Sequence, residues 1–227
     1  YQLSPKLFSN LTATYSRYKF SVGTKFNEET TNLITNESTF DNYASEYKSG
    51  IRDYSIKSDF DYVAHPDHYI KFGANYTYHT FTPGVNQVKA VTNDYDTIVE
   101  SGNGIVNGNE FYVYIQDDFK VNQRIKVNGG LHFSGFNVNG KLYTALQPRF
   151  SGRWLVSEKA SIKFSYSHMA QYLHLLSNAG IGLPTDLWLP PTENIAPQFS
   201  KQAALGYARS IKNQFEFSVE GYYKTME

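Results

Sequence analysis

The stretch Leu146-Gln147-Pro148-Arg149-Phe150-Ser151-Gly152-Arg153-Trp154-Leu155-Val156-Ser157-Glu158-Lys159-Ala160-Ser161-Ile162-Lys163-Phe164-Ser165-Tyr166-Ser167 decides the fold class. In its first half Leu146, Phe150, Trp154 and Val156 oppose Gln147, Arg149, Ser151 and Arg153. In its second half Ala160, Ile162, Phe164 and Tyr166 oppose Ser161, Lys163, Ser165 and Ser167. Successive side chains of a strand point to opposite faces, so each half reads as a strand with one apolar and one polar face. Ser157-Glu158-Lys159 between them is a tight polar turn, which makes the two strands antiparallel neighbours.

The same period continues outward. Phe111, Val113, Ile115 and Phe119 alternate with Glu110, Gln116, Asp118 and Lys120, and Phe215, Phe217, Val219, Gly221 and Tyr223 with Gln214, Glu216, Ser218, Glu220 and Lys224. Nine strands are expected, near 6–20, 49–63, 69–82, 110–121, 125–138, 145–156, 160–172, 199–211 and 214–226. Strands of a soluble sandwich run about 5–6 residues. These run about 12–15, or roughly 40–50 Å at about 3.3 Å per residue. Tilted by about 40°, such a strand still exceeds the roughly 25 Å apolar band of an outer-membrane barrel.

Composition agrees and excludes alternatives. Among 227 residues there are 19 Tyr and 16 Phe but no Cys. Disulfide frameworks, thiolate metal sites and cysteine nucleophiles are therefore ruled out. Lys and Arg number 21 and so do Asp and Glu, so no basic surplus points to a nucleic-acid partner. No run approaches the roughly 18 apolar residues of a membrane helix. The start at Tyr1-Gln2-Leu3-Ser4-Pro5 has no basic and apolar leader, and the strand ending at Met226-Glu227 has no closing turn, so the chain reads as part of a longer one.

The connections alternate as the strands do. Ala64-His65-Pro66-Asp67-His68, Asn122-Gln123-Arg124, Ser157-Glu158-Lys159 and Lys212-Asn213-Gln214 are tight, whereas 21–48, 83–109 and 173–198 are long loops, with a short exception near 139–144. Short turns on one rim and long loops on the other are the habit of transmembrane barrels, and a soluble sandwich or propeller has no comparable reason for it. The expected fold is all-β: an antiparallel up-and-down transmembrane β-barrel, partial, with about nine strands of a larger barrel and residues 1–227 inside one domain. Tyr62, Tyr69, Trp154, Tyr172, Tyr207 and Tyr223 at strand ends suit an interfacial aromatic belt.

Leu146 to Trp154 and Ala160 to Ser167 resemble the barrel of TonB-dependent outer-membrane receptors. Gln171-Tyr172-Leu173-His174-Leu175-Leu176-Ser177-Asn178, the loop from Leu183 to Pro197, and Gln202 with Leu205-Gly206-Tyr207 are similar to Bacteroidota members of that family. Ser4-Pro5-Lys6-Leu7 resembles one of its periplasmic turns. The resemblance implies a cell outer-membrane location, a 22-strand barrel, an N-terminal plug and a TonB box. It also implies energy from the TonB-ExbB-ExbD complex, an imported nutrient and, in glycan systems, a surface lipoprotein. Plug, TonB box and closing strands are not in this sequence. A passive porin or structural barrel and a soluble carbohydrate-binding β domain are the alternatives.

Sites follow from the faces. The polar set Arg149, Arg153, Lys163, Gln202, Glu216 and Glu220 is expected to line the lumen, and its mixed sign implies no strong charge selectivity. The long loop 173–198 holds His174, Asn178, Asp186 and Trp188, the expected ligand contacts at the outer mouth. Trp188 has two readings, stacking on a ligand or packing the loop onto the barrel, and packing is the stronger. His65-Pro66-Asp67-His68 lacks a third ligand and reads as a turn, not a metal site. His79, His132 and His168 fall within strands as lumen or rim residues. Gly102-Asn103-Gly104 does not fit a dinucleotide fingerprint, and Gly-x-Ser-x-Gly does not occur. Asp117 and Asp118 fall on opposite faces and cannot pair as acid and base. No enzyme and no cofactor are expected.

Overall fold

The computed structural model of the chain describes residues 1–31, 33–36, 38–91, 96–102, 104–178, 185–211 and 214–227. Lys212 and Asn213 of the last tight turn, Asn103, and Leu183-Pro184 therefore lie outside the described residues. Thirteen strands follow in order: β1 (Gln2–Ser4), β2 (Leu7–Thr31), β3 (Ser38–His65), β4 (His68–Val91), β5 (Asp96–Gly102), β6 (Val106–Lys120), β7 (Ile125–Val138), β8 (Lys141–Ser157), β9 (Ala160–Gln171), β10 (His174–Asn178), β11 (Thr185–Leu189), β12 (Gln198–Ile211) and β13 (Phe215–Met226). One sheet has the order β1-β2-β3-β4-β6-β7-β8-β9-β12-β13, with β5 paired to the distal part of β4, and β10 and β11 form a separate hairpin. Every long strand pairs antiparallel with the next long strand in sequence. This is up-and-down topology.

The tight turns share a rim and are tied to one another there. Val63 N donates to Lys6 O, Lys120 N to Asp67 O, Leu155 N to Arg124 O and Ser210 N to Lys159 O, each at 2.8 Å. On the opposite rim, 21–48 and 83–109 depart from the expected loops. β2 and β3 stay in register from Leu7↔Tyr62 to Thr31↔Ser38, and β4 continues to Val91, where β5 returns along it. The reason lies in pairs such as Val22↔Tyr47 and Phe26↔Tyr43, which keep β-branched and aromatic residues opposite one another after the apolar face has ended. Between these projections and β9 stands the short exception. β7 and β8 join through Asn139 and Gly140, with φ of 49° and 79°, the left-handed pair of a two-residue hairpin turn.

Cross-strand partners share a face, so the register fixes both surfaces. Phe150, Tyr166 and Ala203 form one outward row, Gly152, Phe164 and Leu205 the next, and Trp154, Ile162 and Tyr207 a third. Ile115 and Phe217 belong to the same surface, which is largely exposed: Phe164 is 39%, Phe217 51% and Leu205 63% accessible. So broad an apolar surface needs a lipid solvent. Gln116, Lys163 and Glu216 occupy the other face, as their parity implied.

That other face is concave. β11 touches β3 and β4, several strands away from its neighbours β9 and β12, and a short hairpin reaches so far only by crossing the inside of a curled sheet. The buried cluster lies beneath this crossing. It comprises Ile51, Phe81, Phe136, Val138 and Tyr172, with Leu173 and Trp188 packed against it. Tyr172 is therefore not in an interfacial belt. It is 4% exposed, stacks on Phe136 at 5.5 Å and shares a 2.8 Å hydrogen bond with Ser134. Tyr69 also leaves the belt, because it pairs with Asp118 on the concave face and donates to Asp61 at 2.9 Å. Tyr62, Trp154, Tyr207 and Tyr223 are on the apolar side, paired with Leu7, Ile162, Val219 and Ala203.

Candidate functional site on the concave face

The concave face changes chemistry from the tight-turn rim to the crossing hairpin. Nearest the turns, Lys120, Lys126, Arg153 and Lys163 are direct neighbours on four adjoining strands. Together with Asp118, Asn128, Ser151 and Glu220 they line an open cavity of about 610 Å3. Arg149 sits one step further along β8, between Gly130 and Ser167. Gln202 lies between Ser167 and Lys224, Glu216 opposite Ser210 and Glu220 opposite Gly206. The register thus puts Arg149, Arg153, Lys163, Gln202, Glu216 and Glu220 on one polar face, spread over β8, β9, β12 and β13 and not gathered into one cluster.

The middle of the face is a hydrogen-bonded lattice. Tyr114 donates to Asp59 at 2.7 Å, Lys57 pairs with the same carboxylate at 2.9 Å, and Ser55, Asn75 and Thr77 bond one another across β3 and β4. Higher still, His79 is 3% exposed, with Nδ1 2.8 Å from Asp53 and Nε2 3.2 Å from Glu110. Its ring lies against Phe81 and Phe136 at 5.7 and 5.6 Å. Gln147, 3% exposed, donates to Ser134 at 2.8 Å and accepts from the Ala170 amide at 3.1 Å. Such fully partnered buried groups hold the wall in one geometry, since each broken bond would strand a desolvated polar atom.

The region 173–198, expected as a free loop, contains the hairpin β10–β11, in which His174 pairs with Leu189, Leu175 with Trp188, Ser177 with Asp186 and Asn178 with Thr185. It folds back toward β3 and β4. Trp188 is partly buried against the Phe81–Phe136–Tyr172 cluster, which is the packing role its sequence setting favoured. His174 Nε2 is buried with no hydrogen-bond partner among the described residues. Asn178 and Asp186 lie on opposite strands at the hairpin end, paired with Thr185 and Ser177, and their side chains are outside the description. Beneath the hairpin opens a cavity of about 570 Å3 lined by Glu110, Met169, Gln171, Tyr172, Trp188 and Lys224. The sequence reading did not single out Asp53, Glu110, Gln147 and Tyr172 as a set. Strand parity put Glu110 and Gln147 on the polar face, but only the register of β3 to β9 brings the set together.

The remaining histidines lie in a tight turn and within strands. His68 stacks on Phe119 at 4.2 Å and meets Asp117 Oδ2 at 2.6 Å, while His65 lies 3.5 Å from Asp67 within the turn. His132 is on the concave face beside Tyr112, and His168 is on the apolar side opposite Lys201. Asp117 and Asp118 pair with Ile70 and Tyr69 on opposite faces.

Known proteins share this architecture. The chain is similar to the FrpB iron transporter from Neisseria meningitidis (F5-1 variant, apoprotein form) at 12% identity and a TM-score of 0.55, covering 100% of this chain and 42% of that one. It is similar to the RagAB peptide transporter at 9% identity and a TM-score of 0.62, covering 98% and 28%. With BauA, the ferric preacinetobactin receptor from Acinetobacter baumannii, the values are 13%, 0.54, 98% and 35%. The chain thus spans less than half the length of these structures. No curated protein sequence matches it. The family model described as TonB dependent receptor-like, beta-barrel matches residues 1–227. An up-and-down sheet with an apolar outer surface, matched to that model from end to end, makes this chain a member of the TonB-dependent receptor β-barrel family and a protein of the outer membrane.

Proposed function

We propose that the chain forms part of the wall of a transporter that imports a bulky, scarce nutrient across the outer membrane with energy delivered through TonB. The observation that carries this reading is the hairpin β10–β11 folded over a polar, hydrogen-bonded interior: the wall is narrowed from within, as suits a pathway opened on demand more than a standing pore. In this reading Arg149, Arg153, Lys163, Gln202, Glu216 and Glu220 line the lumen and solvate a plug carried by another part of the protein, together with its TonB box. His174, Asn178, Asp186 and Trp188 belong to the outer vestibule. The rim with the projecting hairpins faces the exterior, and the tight turns face the periplasm. TonB with ExbB and ExbD, a surface lipoprotein and the nutrient are the partners. The neighbours are named for iron, a peptide and ferric preacinetobactin, and the cargo proposed here goes no further than a solute too large for a porin.

Planar-bilayer conductance of the full-length protein tests the reading, combined with capture by the periplasmic domain of TonB. A plugged, TonB-dependent importer gives no steady ionic current and is captured. A steady current without capture would establish a porin and overturn the proposal.

A further inference from the structure

The polar residues expected to line the lumen are mixed in sign, but the register sorts them. Arg149, Arg153 and Lys163 lie together on β8 and β9, whereas Glu216 and Glu220 lie on β13. Two further cations join the first group: Lys120 pairs with Lys126, Lys126 with Arg153, and Arg153 with Lys163. Four cations thus stand directly opposite one another across four adjoining strands, about 14 Å of wall. Like charges so placed destabilise a sheet, so the stability of the wall does not account for them. Neither these four nor Arg149 is in an ion pair among the described residues.

The positions between them add donors. Arg149, Ser151 and Arg153 on β8 adjoin Ser167, Ser165 and Lys163 on β9, and Gly130, Asn128 and Lys126 on β7. No carboxylate occupies this grid. Ser151 and Ser165 line the cavity of about 610 Å3 together with the four cations. The carboxylates that border the same cavity stand outside the grid: Asp118 accepts from Asn128 at 2.7 Å, Asp67 lies 3.5 Å from His65, and Glu220 is two strands from Lys163, across Gly206. Arg149 borders a second cavity, of about 300 Å3, with Lys71 and His132. Arg149 is four residues from Arg153, about 13 Å along the strand and roughly 10 Å along the barrel axis at a 40° tilt. The two cavities therefore follow one another away from the tight turns.

We propose that the two cavities are successive oxyanion sites on the path of the cargo, and that the cargo is a solute carrying several carboxylate or phosphate groups. The inference rests on the transport reading and goes beyond it by fixing the charge of what is carried. Arg149 and Arg153 can each take a carboxylate through two parallel hydrogen bonds, and the serine hydroxyls between them satisfy the remaining lone pairs. Conduction needs sites favourable enough to enter and weak enough to leave, which open sites in series provide. Cations at two levels give a moving anion a next place to go. A counter-charge fixed in the plug would need only one.

The test uses the full-length protein in planar bilayers, with urea raised until the plug yields and a steady current opens. Citrate is the probe and its uncharged triamide the control. Citrate is expected to reduce the wild-type current at concentrations at which the triamide does not. Arg149→Gln/Arg153→Gln/Lys163→Gln should need at least roughly tenfold more citrate for the same reduction. Equal sensitivity of wild type and variant to citrate, or an equal effect of the triamide, would overturn the proposal. So would a variant whose only change is that less urea opens the current, because the cations would then be held by carboxylates of the plug. If the triple variant lacks heat-modifiable electrophoretic mobility, Lys163→Gln alone must still raise the citrate required, and no increase counts against the sites. Failure of the transport reading shows separately, as a steady wild-type current before any urea is added.

Discussion

Replacing Phe164 by Arg tests the assignment of the two faces. Phe164 lies four residues beyond Ala160, the first residue of β9 after the tight turn. That is about 13 Å along the strand, or roughly 10 Å above the rim at a tilt of about 40°, close to the middle of an apolar band about 25 Å tall. Its ring packs 5.3 Å from Phe150, over Gly152 and beside Leu205. A guanidinium near the midplane costs about 2–4 kcal/mol, and loss of the aromatic pair adds about 0.5–1.5 kcal/mol. The sum is roughly 3–5 kcal/mol, at least about two orders of magnitude in the folding equilibrium. Lys163→Gln, one residue away and facing inward, should stay within about 0.5 kcal/mol. Urea unfolding of the full-length protein in phosphatidylcholine vesicles, followed by tryptophan fluorescence, measures both. Equal losses, or a larger loss at Lys163, would show that the faces are inverted or that the sheet does not contact lipid.

Tyr172→Phe should lower stability by about 1 kcal/mol in the same assay, because Ser134 loses one partner but keeps Gln147. Gly140→Val, at a φ of 79°, should cost about 1–2 kcal/mol and slow the pairing of β7 with β8 in refolding from urea; an unchanged midpoint would contradict the turn geometry. Deleting residues 178–190 should weaken nutrient binding at the cell surface while heat-modifiable folding persists, since the ladder is built by the long strands. If the deletion abolishes folding, the hairpin is part of the wall and not a vestibule element.

The alternation at 146–167 was enough to place β8 and β9 with their turn, and the same parity put Lys163, Glu216 and Gln116 on the inner side. It failed where lipid ends. Hydrophobic period two is written by the contrast between lipid and lumen, so β2 beyond Lys19 and β4 beyond the register shift after Thr82 carry a hydrogen-bond ladder with no such contrast. A reading based on hydrophobic alternation saw them as loops. Tyr172 was misplaced because it follows the last ladder residue of β9, where strand parity no longer governs direction. The meeting of His79 with Asp53 and Glu110 depends on the register of three strands, which is fixed by the turns and bulges and not by any local pattern. Trp188 was different: a large aromatic side chain in a polar connection needs a surface to cover, and the Phe81–Phe136 cluster supplies it.

The Asn139–Gly140 turn gives the outer rim an uneven skyline. β2 and β3 stay paired beyond Arg17 and Arg52 as far as Thr31 and Ser38, a parapet roughly 35 Å high after allowing for tilt. β7 and β8 stop one pair past Asn137, at Val138 and Lys141, and Asn137 itself lies opposite Asn109. In the proposed orientation the described strands present a wall on the β2–β5 flank and a sill on the β7–β8 flank, so that approach across this part of the rim is sided.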